Sequence, residues 1–239
     1  EVHLFNSHQK IREVVQAVRK HPNATFIQRL DGPMRLYNDR LDSRDTIAFL
    51  LTKYIPDGVV FQSQWSRRET LKRGIIKQDQ KTVVIHNSAD EKIFFRPLQT
   101  KKSSGKVRLI ISSWSSNQKK GFEIYDWLDE NLDFDRYSVK FVGNSPRGFQ
   151  NIVAIAPVPS KELGRMLRES DVFLTASQND PCSNSVIEAL LSGVPVLALA
   201  SGGHPELVQQ GGMLFHGKSD ILEKIDEIST NLESFRAAI

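Results

Sequence analysis

Short apolar runs alternate with amphipathic stretches along the 239 residues of the chain. In the first half, Val2 to Phe5, Thr25 to Gln28, Val59 to Phe61 and Val83 to Ile85 read as strands. Between them lie helical periods. Gln9 to Arg19 places Ile11, Val14, Val15 and Val18 on one face. A second helix opens at Ser43 or Asp45 and turns Ile47, Leu50, Leu51 and Tyr54 inward, and Ser63 to Leu71 makes a third. The second half repeats the rhythm. Its strands are Val107 to Ile111, Val139 to Val142, Ile152 to Ile155, Val172 to Thr175, Val196 to Leu199 and Met213 to Phe215. Its helices are Gly121 to Leu128, a Ser160-capped helix with Leu163, Met166 and Leu167, a helix through Val186 to Leu191 ended by Gly193, a start at His204, and Ser219 to Ile228. Strands alternating with helices predict parallel α/β sheets. Arg96 to Lys106 is polar and aperiodic, which predicts two domains, 1–97 and 106–239, with a linker at 98–105. Four strands are few for a doubly wound domain, and the first begins almost at Glu1. The N-terminal domain is therefore expected to be incomplete.

The stretch from Asp171 to Val208 carries the candidate chemistry. Asp180 before Pro181 fits a helix cap followed by a first-turn proline. The amides of Cys182 to Ser185 then point out of a helix start, and Ser183, Asn184 and Ser185 add side-chain donors, which suits a phosphate. Glu188 follows Asp180 by eight residues, about 12 Å along one helix. The competing reading is a plain cap at Asp180 and a water-facing Glu188. Lys119 or Lys120, between a loop and a helix, is placed to reach the same phosphates, although a surface lysine is equally common there. Gly202-Gly203 allows close backbone approach or a simple turn, and His204 lies in that turn. In the first half Arg29 and Asp31 end a strand, either as site residues or as a local salt bridge and turn cap. His86, Asn87 and Ser88 sit at the same edge.

Composition narrows the classes. A formal charge of +4 without a basic block gives no support to nucleic-acid binding. The single cysteine, Cys182, excludes an internal disulfide and fits a reducing compartment. The six histidines show no metal-ligand spacing. There is no GxxxxGK[ST] loop, GxGxxG fingerprint or nucleophile elbow, and no run of membrane-spanning length or secretion signal.

Several segments then combine into a resemblance. VVIHNSADEKIFFRP from Val83 to Pro97, Lys120-Gly121, Asp180-Pro181 with Glu188-Ala189, Gly193-Val194-Pro195-Val196, and Gly202-Gly203 with Glu206 resemble the retaining GT-B glycosyltransferases of family 4. The resemblance is closest to bacterial group 1 glycosyltransferases. It implies two Rossmann-like parallel-sheet domains facing a cleft, the C-terminal one binding a nucleotide-diphosphate sugar and the N-terminal one an acceptor. It implies that Glu188 holds the ribose, that Asp180 lies near the transferred sugar, and that Lys120 and the helix start at Ser183, Asn184 and Ser185 neutralise the diphosphate, with Gly202 and Gly203 beside the donor. The family's second basic residue is not found; Ser113 and Trp114 stand there, and Arg67 is the substitute candidate. Asp31 is the nearest counterpart, by position, of the family's acceptor-side histidine. The implied reaction needs no metal or other cofactor. It transfers the sugar with retention to a glycan or lipid-linked acceptor in polysaccharide synthesis, in the cytoplasm, with peripheral contact at the inner membrane face. The alternatives are a non-catalytic or epimerase-like GT-B nucleotide-sugar-binding protein, and an α/β scaffold for protein partners.

Overall fold

The computed structural model describes residues 1–38, 42–76, 80–97 and 105–239. The linker read at 98–105, with Lys101 and Lys102, lies almost wholly outside them. Two compact units divide between Asn87 and Ser88. Residues 88–97, read from the sequence as part of the first domain, belong to the second unit. The reason is packing: Phe94 is buried in that unit's core, and Arg168 Nη1 donates to Ile93 O at 2.7 Å.

The first unit is a four-stranded parallel sheet in sequential order: β1 (Val2–Asn6), β2 (Thr25–Leu30), β3 (Gly58–Phe61) and β4 (Thr82–Val84). Its connections carry α1 (Ile11–Lys20), α2 (Met34–Tyr37), α3 (Arg44–Tyr54) and α4 (Gln64–Lys72). No element was read from the sequence over α2, and Asp45 explains why one forms there. Of the two residues read as opening α3, Ser43 takes the position before Arg44, while the Asp45 carboxylate accepts from Met34 N at 2.7 Å and Arg35 N at 3.2 Å and so caps α2.

Register shows how this sheet is covered. His3, Phe5, Phe26, Leu30, Val59, Phe61 and Val84 share one face. Val14 of α1, Ala48 and Leu51 of α3, and Leu71 of α4 pack onto that face. Strands laid down in one direction with right-handed crossovers put their helices on the same side. The opposite face carries Val2, Leu4, Ile27, Val60, Val83 and Ile85. Leu4 is 65% exposed and Ile85 57%, whereas parallel sheets ordinarily have both faces covered.

The second unit is a six-stranded parallel sheet. Its strands are β5 (Val107–Ser113), β6 (Tyr137–Gly143), β7 (Val153–Ile155), β8 (Val172–Thr175), β9 (Val196–Leu199) and β10 (Gly212–Phe215), in the order β10-β9-β8-β5-β6-β7. Counted within the unit, this is the 3-2-1-4-5-6 doubly wound order. Both faces are covered. Leu109, Ile111, Phe141, Leu174 and Leu197 meet α5 (Phe122–Asn131) and α9 (Ile221–Thr230). Ile110, Val142, Phe173, Val196 and Ala198 meet α6 (Ser160–Arg168), α7 (Asn184–Leu191) and α8 (His204–Val208). Burial on both sides is why these strands read as continuous apolar runs.

A last helix, α10 (Leu232–Ala238), was not anticipated from the sequence. Its anchor is polar. Asp171, at the entry to β8, accepts from Arg108 N and Nε at 2.9 Å, Arg108 Nη2 at 3.0 Å and Arg236 Nη2 of α10 at 3.0 Å. Burial raises the Asp171 pKa, but the hydrogen bonds from Arg108 and Arg236 outweigh it and hold the carboxyl below its ordinary range. Asp171→Asn should cost about 2–4 kcal/mol in urea denaturation at pH 7, because it leaves guanidinium groups unpaired. A depressed carboxyl stabilises above its unfolded pKa and loses that contribution as pH falls through the folded one. The gap between wild type and variant should therefore close as the pH drops below about 4.

Candidate functional site

In the 3-2-1-4-5-6 order, β5 and β8 are neighbours whose connections leave in opposite directions. The crevice beyond their C-terminal ends is where such sheets bind ligands. Three loops meet there through the backbone. Gln178 N donates to Lys119 O at 2.7 Å, Gly203 N to Asp180 O at 2.8 Å, and Asn179 N to Ser201 Oγ at 2.9 Å. Gly202 has φ 64, and a Cβ on it would lie 2.3 Å from Asp180 O. The glycine thus lets two protein backbones pass, which accords with the simple-turn alternative of the two readings from the sequence. Below the loops, Ala176 N donates to Tyr125 Oη at 2.9 Å. Tyr125 is buried, and burial pushes its hydroxyl pKa up to about 12, so it stays neutral and holds the loop.

This framework brings Lys120 and Asp180 together. Lys120 Nζ lies 3.1 Å from Asp180 Oδ2, with the lysine side chain 34% exposed and the aspartate 15%. Asp180 Oδ1 also accepts from Cys182 N at 3.2 Å. These contacts correct the local reading of Asp180. It does not cap α7; Ser183 occupies that position and α7 begins at Asn184. Asp180 and Glu188 therefore do not share a helix, and the separation of about 12 Å drawn from helical rise does not apply. Pro181 and Cys182 belong to a buried turn in front of the helix. Ser183 is buried and its Oγ is 3.0 Å from Ser185 Oγ. The first-turn amides of α7 have no acceptor within the helix, which keeps its start suited to an anion.

Glu188 sits in the middle of α7, half-buried. Among the described residues no side-chain contact to it stands out, and burial alone pushes its carboxyl up to about 7. His204 is fully buried at the start of α8. Its Nδ1 lies 2.8 Å from Leu199 O and its Nε2 has no partner. Burial pushes its pKa down; Asp180 opposes that shift and Lys120 adds to it.

In the first unit Asp31 joins a network at the strand ends. Arg29 Nη1 is 3.3 Å from Asp31 Oδ1, and Gln62 Nε2 donates to the same oxygen. Arg29 also donates to Asn87 Oδ1, and Asn87 Nδ2 to Gln62 Oε1 at 3.2 Å. Burial raises the Asp31 carboxyl, opposed by Arg29, His8 and Gln62. Gln62 was missed from the sequence; its position at the end of β3 was the available signal. Arg67 Nε donates to Thr82 Oγ1 at 3.0 Å. The six histidines are also less scattered than their numbering suggests: Glu1, His3 and His21 converge in this unit.

Residues 106–231, just over half of the chain, match the family model described as "Glycosyl transferases group 1". The chain belongs to this family. Among curated relatives, uncharacterized protein 356 of Sulfolobus islandicus rod-shaped virus 1 is 26% identical over 164 residues, 61% of this chain and 45% of the viral one. An uncharacterized 41.2 kDa protein in the cps region of Klebsiella pneumoniae is 28% identical over 120 residues, 46% of this chain and 34% of that one. The chain thus aligns with less than half the length of these relatives. The structure of Anabaena Alr3699/HepE in complex with UDP-glucose matches with a TM-score of 0.72 at 17% identity, covering 98% of this chain and 73% of that one. The likeness shows the fold: two Rossmann-like parallel-sheet domains of the GT-B class, as the sequence resemblance implied. Among the described residues no helix is long and apolar enough to cross a membrane.

The raised Glu188 carboxyl sets a pH signature for the second unit. A folded pKa above the unfolded one stabilises below the unfolded value, and that contribution is lost as pH rises through about 7. Glu188→Gln should therefore be more stable than wild type at pH 8, by about 2 kcal/mol after allowance for residual solvation, and no more stable at pH 4. Urea denaturation at the two pH values reads the difference.

Proposed function

We propose that this group 1 glycosyl transferase moves a sugar from a nucleotide-diphosphate donor to an acceptor hydroxyl with retention at the anomeric carbon. The observation that carries the reading is the Lys120–Asp180 pair beside the start of α7, beyond the ends of β5 and β8. A partly exposed ion pair is worth about 1 kcal/mol or less, so exchanging its carboxylate for a diphosphate costs little. When the glycosidic bond breaks, negative charge grows on the departing diphosphate. Lys120 and the amides of Asn184 and Ser185 stabilise it where it develops. Glu188, as a carboxylate, accepts from the ribose hydroxyls. Its raised pKa means that donor binding favours its ionised form and strengthens as pH rises through about 7. Asp180, released from Lys120, faces the transferred sugar. Gly202 and Gly203 hold its backbone in place and form the donor wall. Asp31 is the acceptor-side group of the first unit.

A relative from the cps region of Klebsiella pneumoniae supports a glycan or lipid-linked acceptor in polysaccharide synthesis. The cytoplasmic side of a membrane is the matching place of work.

Calorimetric titration with UDP, GDP and their sugar conjugates tests the donor site. Wild type should bind one base preferentially. Lys120→Ala should weaken binding by about tenfold or more, the scale of a lost charged hydrogen bond. Asp180→Ala should leave UDP affinity equal or higher, because Lys120 is freed, while transfer falls. Unchanged affinity in folded Lys120→Ala would overturn the reading. Turnover of the sugar nucleotide that does not depend on an acceptor would favour the epimerase-like alternative.

A further inference from the structure

We propose that Glu1, His3 and His21 form a binding site for one divalent ion of the zinc type. The three come from two elements of the first unit. Glu1 and His3 flank the first residue of β1, and His21 ends α1. Each offers one ligand atom, and these atoms lie within 4.8 Å of one another. Glu1 Oε1 is 3.1 Å from His3 Nε2, and Glu1 Oε2 is 3.0 Å from His21 Nδ1. Four ligands held tetrahedrally at about 2.0–2.1 Å from zinc stand about 3.3 Å apart; each imidazole has a Glu1 oxygen at about that distance, and the three ligand atoms, within 4.8 Å of one another, would draw in around the ion.

The imidazoles are held in place. His3 stacks on Phe26 with ring centroids 4.9 Å apart and planes 11° from parallel. Its ring lies 5.2 Å from that of His21. His3 Nε2 is buried and makes no hydrogen bond, although a Glu1 oxygen lies 3.1 Å away. A buried polar atom left in that state costs stability, and the neutral ring with its proton on Nδ1 would give Nε2 to a metal ion. Two imidazoles and one carboxylate select borderline ions such as Zn²⁺ or Co²⁺ over Mg²⁺, which prefers oxygen ligands. Glu1 and His21 remain half open to solvent, which leaves a way in for the ion and a coordination position for water. Because β1 is an edge strand, the ion would clip its start to the end of α1.

This inference does not rest on the donor-site reading, and its outcome leaves that reading untouched. The test is a Zn²⁺ titration of the full chain by calorimetry with Mg²⁺ in excess. Wild type should take up one ion saturably, and Zn²⁺ should raise its thermal midpoint. Glu1→Gln and His21→Asn change exposed side chains, so both should fold with the wild-type circular dichroism spectrum. Each should bind at least about tenfold more weakly and lose the thermal shift. Co²⁺ should give the intense visible absorption of a four-coordinate ion in wild type only. Wild type without saturable uptake overturns the proposal. So do variants that bind as wild type does, which would place the ion on His8, His86 or His216.

Discussion

Parallel strands cannot be joined by hairpins. Each must be left at one end and re-entered at the other, through a crossover that covers a face. In the second unit the chain crosses first to one side of β5 and then to the other. That reversal leaves the ends of β5 and β8 without a connection between them, and every feature of the candidate donor site sits at this gap. The loop before α5 supplies Lys120, the loop before α7 supplies Asp180, and the turn before α8 clasps Asp180 from behind.

The loops at that gap are fixed from beneath as well as from the side. Tyr125 reaches from the core to the first amide after β8, and its high pKa keeps it a neutral acceptor. The backbone contacts between Lys119, Gln178, Asp180 and Gly203 leave the side chains of Lys120 and Asp180 as the adjustable parts. Rigid main chain with a weak, exchangeable ion pair on top is a sound basis for binding a charged ligand, since little order has to be created on arrival.

Much of this was legible in the residues. The continuous apolar runs of β5, β8 and β9 encode burial on both faces, and Asp180, Glu188 and Lys120 stand out because they follow such runs. What failed was local. Asp180-Pro181 looks like a helix start, yet the Asp180 carboxylate serves Cys182 N and Lys120, and the helix waits until Asn184. Ser43 and Asp45 both look like the opening of α3; Ser43 takes that position and Asp45 caps α2, eleven residues back from it. Both outcomes arise because a carboxylate can cap any amide that the fold delivers, and sequence distance does not say which one. The convergence of Glu1, His3 and His21 and the clasp of Asp171 by Arg236 belong to the same class. They exist only once strand register and helix packing are set.

The two sheets also differ in how they meet water. The second is wrapped on both sides. The first is wrapped on one, and Leu4, Val83 and Ile85 lie open on the other. The proposed donor site and colloidal behaviour thereby fall to different halves of one polypeptide. Purification conditions that keep the chain dispersed, such as salt type and detergent, act on the first half. Ligands that brace the donor site act on the second. A sample can consequently be well folded in its second unit and still be sticky, and the cure for one condition is no cure for the other.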